Sequence, residues 1–191
     1  MPRRQYTVCH DDLDATDAGG RLLYAQRARI STPPGMGSQT VTTYAIYVPQ
    51  SGLANLRLGL ASGVWGWRQS AFETSDSASV IRSMKTNDLV LMAQGGPSPR
   101  VPRHRWTRAR TARFDVCKVV RGSYRSTSPV WPDDVYPERV GIAVVDSIPP
   151  SVDLGREMLE AQRMSANMRG VPVVVSSTTP DWWRNLLDEN R

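Results

Sequence analysis

The chain has 191 residues and a net charge of +6, with 40% apolar residues, long enough for one domain with a real core or one domain with an appendage. No apolar run reaches the roughly eighteen residues of a membrane-spanning helix. The two cysteines, Cys9 and Cys117, exclude a disulfide framework and a four-cysteine zinc site. The opening MPRRQYTVCHDD lacks the apolar stretch of a signal peptide, so a reducing, cytoplasmic setting is expected.

Residues 1–40 are polar and broken by Gly19-Gly20 and Pro33-Pro34, which reads as a partly flexible arm. Residues 41–49, VTTYAIYVP, are β-branched and aromatic and predict a strand. Leucines at 53, 56, 58 and 60 fit either a helical turn or an extended piece. Val64 to Trp67 reads as extended or a turn. Ser77 to Met84 suits a short helix with Ser75 or Ser77 as its cap. Leu89 to Ala93 is an apolar run after a polar turn, hence a buried strand.

A basic, proline-broken loop follows at 97–112, and Phe114 to Val120 predicts the next strand. Gly122 to Pro129 reads as a turn-rich loop. Val140 to Val145 is another strand, and Leu154 to Met168 an amphipathic helix that Gly170 stops. Val171 to Val175 is a last strand. A helical turn or two from Asp181 closes the chain, with Asp181 as cap. The expected fold is α+β: a small twisted β-barrel of five or six strands with flanking helices. The expected division is the arm, a domain over 41–150, and a helix-strand-helix extension over 151–191 packed on it.

The charge is concentrated. Residues 100–125 hold Arg100, Arg103, Arg105, Arg108, Arg110, Arg113, Lys118, Arg121 and Arg125 against one acid, Asp115. A window more basic than the whole chain is the footprint of a polyanion-facing patch. The arginines at 100, 103, 105, 108, 110 and 113 are the candidate phosphate contacts.

Signatures of catalysis are scarce. No HExxH, Walker loop, GxSxG or CxxC occurs, and the two histidines lie in polar segments. Asp133, Asp134 and Glu138 resemble a nuclease pattern, but their spacing is too tight for separate strands. A capped turn entering a strand explains them. The sequence therefore predicts no catalytic residue, no metal and no cofactor.

A binding constellation is present instead. Gly63-Val64-Trp65-Gly66-Trp67-Arg68 places two indoles around a glycine. An indole offers a flat apolar face and one N–H donor, and a glycine beside it lets another flat group approach. Reading a base outside a duplex needs aromatic faces and amide or hydroxyl groups at the base edge. Trp65, Trp67, Trp106 and Trp131 are candidate faces, with Asn55, Ser51 and Ser62 as edge readers. Ordinary core packing is the preferred reading of Trp131, Trp182 and Trp183.

The stretch YAIYVPQSGLANLRLGLASGVWGWR, Tyr44 to Arg68, resembles the start of the YTH domain, a relative of the EVE domain within the PUA-like superfamily. LVLMAQGG, TARFDVCKVV and VWPDDVYPERVGI resemble the later strands, so the likeness covers about residues 44–147. The resemblance implies an aromatic cage with Trp65 as first wall and Asn55 at the base edge. Ser51 stands at a second edge-reading position, where eukaryotic YTH domains have asparagine. Gly66 would offer its carbonyl to the exocyclic amine. Trp106 best matches the second wall, and Trp67 is the alternative.

These readings converge on a non-catalytic module that takes a methylated nucleobase into an aromatic cage. DNA carrying N6-methyladenine or 5-methylcytosine is the preferred partner and modified RNA the alternative, with a link to restriction or defence. A separate partner, a nuclease or NTPase, would then do any cutting. The rival reading is a protein-interaction adaptor whose tryptophans are core.

Overall fold

The computed structural model describes residues 41–95, 101–106, 113–133, 135–150, 152–175 and 182–189. The arm over 1–40, the Asp181 cap and the parts of the basic loop at 97–100 and 107–112 lie outside the described residues.

Six strands form one sheet: β1 Thr43–Val48, β2 Val64–Trp67, β3 Leu89–Gln94, β4 Arg113–Arg125, β5 Glu138–Ile148 and β6 Val173–Val175. Their order is β2-β5-β4-β3-β1-β6, and the sheet curls into a half barrel. Among the described residues five α-helices flank it: α1 Leu53–Ser62, α2 Ser75–Ser83, α3 Arg103–Trp106, α4 Gly155–Asn167 and α5 Trp182–Glu189. The class is α+β, as expected.

β1 and β3 pair in parallel at the centre, Thr43 opposite Leu89 and Val48 opposite Gln94. Parallel neighbours need a long crossover, which α1, β2 and α2 supply. Every residue of β1 is buried, because both sheet faces are covered. Alternation then sorts the side chains into two cores. Ala45 and Tyr47 join Leu91, Phe114 and Val116 under Met158 and Ala161 of α4. Tyr44, Ile46 and Val48 join Val90, Met92 and Val119 around Leu56 of α1, Ile81 of α2 and Trp67.

The ambiguous leucine stretch is helical. Leu56 and Gly59 face inward, Leu58 points to solvent, and Gly63 ends the helix in the left-handed region at φ 66°. Its amide donates to the Gly59 and Leu60 carbonyls, a C-terminal stop that glycine alone takes without strain.

Two expectations need correction. Helix α2 begins at Ser75 with Thr74 at the cap position, and no side chain caps it. Gly122 to Arg125 is not loop but the end of β4, opposite β5 as far as Glu138. Gly122 fits there because a Cβ would lie 2.9 Å from the Met84 carbonyl oxygen. Register shifts at Val119/Arg121 and Arg121/Tyr124 let the glycine-containing strand bend.

Two buried carboxylates fix the frame. Asp88 accepts the backbone N–H of Thr42 at 3.1 Å and of Lys85 at 2.9 Å, which ties β1 to the turn before β3. Asp115, fully buried, accepts from Arg113 at 2.7 Å and from Ser147 at 3.1 Å, and Gln94 also bonds it. Both meet the rule that buried charge is kept only with hydrogen-bonding partners.

Candidate nucleic-acid interface

Trp65 and Gly66 lie on β2, an edge of the sheet, with Trp65 opposite Val140 and Gly66 opposite Arg139. Behind them stands Trp131, 3% exposed. Its indole N–H donates to the Asn55 carbonyl at 2.8 Å, which pins the ring beneath α1. Trp65 meets Trp131 edge to face, centroids 6.4 Å apart and planes at 89°. Tyr136 also meets Trp131, at 4.9 Å and 65°.

Two glycines make room for this stack. A Cβ on Gly66 would lie 2.9 Å from Tyr136 Cβ and 3.0 Å from Trp131 Cη2. A Cβ on Gly59 would lie 2.6 Å from the Val64 carbonyl oxygen and 3.2 Å from Trp131 Cζ2. The glycine between the tryptophans thus admits a flat ring, but the ring admitted is the protein's own Trp131.

Polar groups rim the cluster. Asn55, half-buried on α1, donates its Nδ2 to the Tyr136 hydroxyl at 3.0 Å. That hydroxyl donates to Asp133 Oδ2 at 3.2 Å. Arg68, with 61% of its side chain exposed, also reaches Asp133 Oδ2 at 3.4 Å and lies over the Tyr136 ring. Its contact with the Tyr136 hydroxyl, ahead of the charge on Asp133, raises its pKa further. Beneath, the buried Arg139 guanidinium lies over Trp131 and donates to the carbonyls of Tyr136 at 2.8 Å and Ser128 at 2.6 Å.

One donor in the cluster is unmatched. The Trp65 indole N–H is buried and has no hydrogen-bond partner among the described residues. Buried polar groups are nearly always paired, so such a group marks strain or a place for a ligand.

The structure thus brings Trp65, Asn55 and Gly66 together and adds Trp131, Tyr136, Asp133 and Arg68. Ser51 is exposed on a 3-10 turn, Gln50–Gly52, ahead of α1. Trp67 is 4% exposed within the core, and its N–H donates to the Gly170 carbonyl at 2.9 Å. That side chain faces no solvent. Trp106 ends α3, and its side chain lies outside the described residues.

The arginine cluster divides. Arg113 is tied to buried Asp115 and to Ser147. Arg103 pairs with Glu160 at 3.2 Å. Glu160 is held below its usual pKa chiefly by Arg163, with Arg103 adding. Arg105 is exposed. Arg100, Arg108 and Arg110 lie outside the described residues. An open cleft of about 640 Å³ separates α3 from the start of α4, lined by Arg103, His104, Asp153, Gly155, Arg156 and Leu159.

Sequence reasoning missed Tyr136 and Arg139. Both lie in the YPER segment that leads into the strand from Val140, where nothing local marks a contact with α1 or Trp131. No group of three His, Cys, Asp or Glu side chains suited to a metal occurs among the described residues.

No protein-family model and no curated protein matches the chain. Solved structures do. A Pseudomonas syringae protein is 14% identical with a TM-score of 0.43, over 78% of this chain and 99% of that one. A Pseudomonas putida protein is 14% identical with a TM-score of 0.42, over 76% and 97%. A third match is 12% identical with a TM-score of 0.36, over 61% of this chain and 68% of that one: the YTH domain of Zygosaccharomyces rouxii MRB1, in complex with N6-methyladenosine RNA. The structural neighbours therefore include a YTH domain.

Proposed function

We propose that this chain is a non-catalytic reader of a methylated nucleobase in a nucleic acid, with Trp65 as the face on which the base stacks. The observation that carries this reading is the half-buried Trp65 ring in the same Trp131-centred cluster as the half-buried Asn55 carboxamide. A flat ligand with hydrogen-bonding groups on its edge suits both. Stacking on an aromatic face contributes roughly 1–3 kcal/mol per base. A methyl group adds roughly 0.8 kcal/mol when buried, which favours the modified base.

The second wall is left to Trp106, the aromatic that the resemblance to the YTH domain offers for it. Gly66 offers its carbonyl and Ser51 a hydroxyl at the rim; Trp67 is left to the core. Arg100, Arg103, Arg105, Arg108 and Arg110 supply phosphate contacts that offset the few kcal/mol of extruding a base from a duplex, while Arg113 is committed to Asp115. Modified DNA is the preferred partner and modified RNA the second choice. Any cleavage belongs to a partner nuclease or NTPase.

The test is a binding titration at several salt concentrations, for wild type and Trp65→Ala, with methylated and unmethylated DNA and RNA. Tighter binding of one methylated strand, lost in Trp65→Ala and weakened steeply by salt, is the expected result. A salt-independent, methylation-blind interaction would leave the adaptor reading in its place.

A further inference from the structure

The hydrogen-bond chain Asp133–Tyr136–Asn55 has only one workable polarity. A carboxylate accepts and cannot donate, so the Tyr136 O–H must point at Asp133 Oδ2, 3.2 Å away. The Tyr136 oxygen is then left as an acceptor toward Asn55, 3.0 Å away. Asn55 must meet it with Nδ2, its donor. Arg68, the other charged group facing this hydroxyl, is donor-only, so it cannot reverse the chain. The orientation of an asparagine amide is ordinarily assigned by such networks, and here the network permits one assignment. Asn55 Oδ1 is consequently turned away from Tyr136, and it has no partner among the described residues.

We infer that Asp133 and Tyr136 are positioning residues that lock Asn55 with its carbonyl oxygen toward the base, so the site takes bases with an amino group at purine C6 or pyrimidine C4 (adenine or cytosine derivatives) and rejects those with a keto oxygen there (guanine, thymine, uracil). This rests on the base-reading proposed above and deepens it. An exocyclic N–H meets Oδ1 as a donor, in the place that the resemblance gave to the Gly66 carbonyl, whereas a keto oxygen there sets acceptor against acceptor. A site built on a hydrogen bond discriminates strongly against an analogue that cannot make it.

Two matched pairs test this in single-stranded oligonucleotides, where no duplex has to open. 5-Methylcytosine and thymine differ by an amino-to-keto exchange and the accompanying N3 proton. N6,N6-dimethyladenine differs from N6-methyladenine in that a second methyl group replaces the one remaining N–H. Wild type should favour the N–H-bearing member of whichever pair it binds by about tenfold or more. Tyr136→Phe and the exposed-site Asp133→Ala release the Asn55 amide, so the ratio should fall to within about threefold of unity, with thermal unfolding confirming the fold. A wild type that favours methylated over unmethylated bases yet binds both members of its pair equally overturns the inference and spares the base-reading. So do variants that retain the wild-type ratio. A wild type blind to methylation overturns both.

Discussion

Trp65 and Trp131 stand perpendicular, their ring centroids 6.4 Å apart. An edge-to-face pair is a packing arrangement, with the positive edge of one ring against the negative face of the other. Trp131 therefore supports Trp65 from behind rather than facing it across a slot. The two tryptophans of the VWGW strand sit differently: Trp67 is 4% exposed and Trp65 is half-buried.

Trp67→Ala removes a ring that is 4% exposed and its bond to Gly170. It should lower stability by about 3–5 kcal/mol, the range for emptying a core aromatic site. Trp65 is only half-buried, so Trp65→Ala should lose less stability and most of the affinity for a modified base. Urea unfolding and binding titrations on both variants separate the roles. Equal stability losses would contradict this division.

Gly66→Ala forces a methyl against Trp131 and Tyr136, both held in place by hydrogen bonds. Overpacking of this kind destabilises by about 1–3 kcal/mol. The accompanying shift of Tyr136 should also disturb Asn55, so affinity falls with stability. An unchanged unfolding midpoint would show that the stack yields more readily than these contacts indicate.

Arg113→Ala and Arg105→Ala should behave differently although both belong to the basic window. Arg113 compensates a fully buried carboxylate, and its loss should cost about 1–3 kcal/mol of stability. Arg105 is exposed and should affect stability by less than about 0.5 kcal/mol while reducing the salt slope of nucleic-acid binding by about one. Matching unfolding curves for the two variants would contradict this.

Burial pushes the Cys117 thiol up to about 12, with the Asp115 charge adding. In the unfolded chain the thiol ionises near its ordinary value of about 9, so between pH 9 and 12 the unfolded state holds fewer protons. The stabilisation is thus complete below pH 9 and disappears as pH rises toward 12. Peptide-resolved alkylation at pH 8 should leave Cys117 unmodified in the folded protein and label it in urea. Rapid labelling of the folded chain would contradict the burial.

The central strands were legible because TYAIYV and LVLMA bury both faces and so read as near-continuous apolar runs. Helix α4 was legible from its 3.6-residue period, and Gly170, at φ 84°, does follow it. Their parallel pairing was not, since no local pattern encodes which strands meet. Gly122-Ser123 read as loop because glycine and serine ordinarily break strands, whereas here close approach of the Met84 carbonyl requires the glycine. At the site, Trp65, Asn55 and Gly66 could be picked out as neighbours along one stretch. Tyr136 reaches Asn55 from 81 positions away and Asp133 bonds Tyr136 in turn, an arrangement that only the closed fold creates.

The most direct measurement is the affinity of the full chain for one oligonucleotide sequence with and without a single methylated base, in DNA and in RNA, at fixed salt. The account predicts that at least one methylated form binds several-fold more tightly than its unmodified counterpart, and that Trp65→Ala abolishes the difference. Identical affinities for every methylated and unmethylated pair would contradict it.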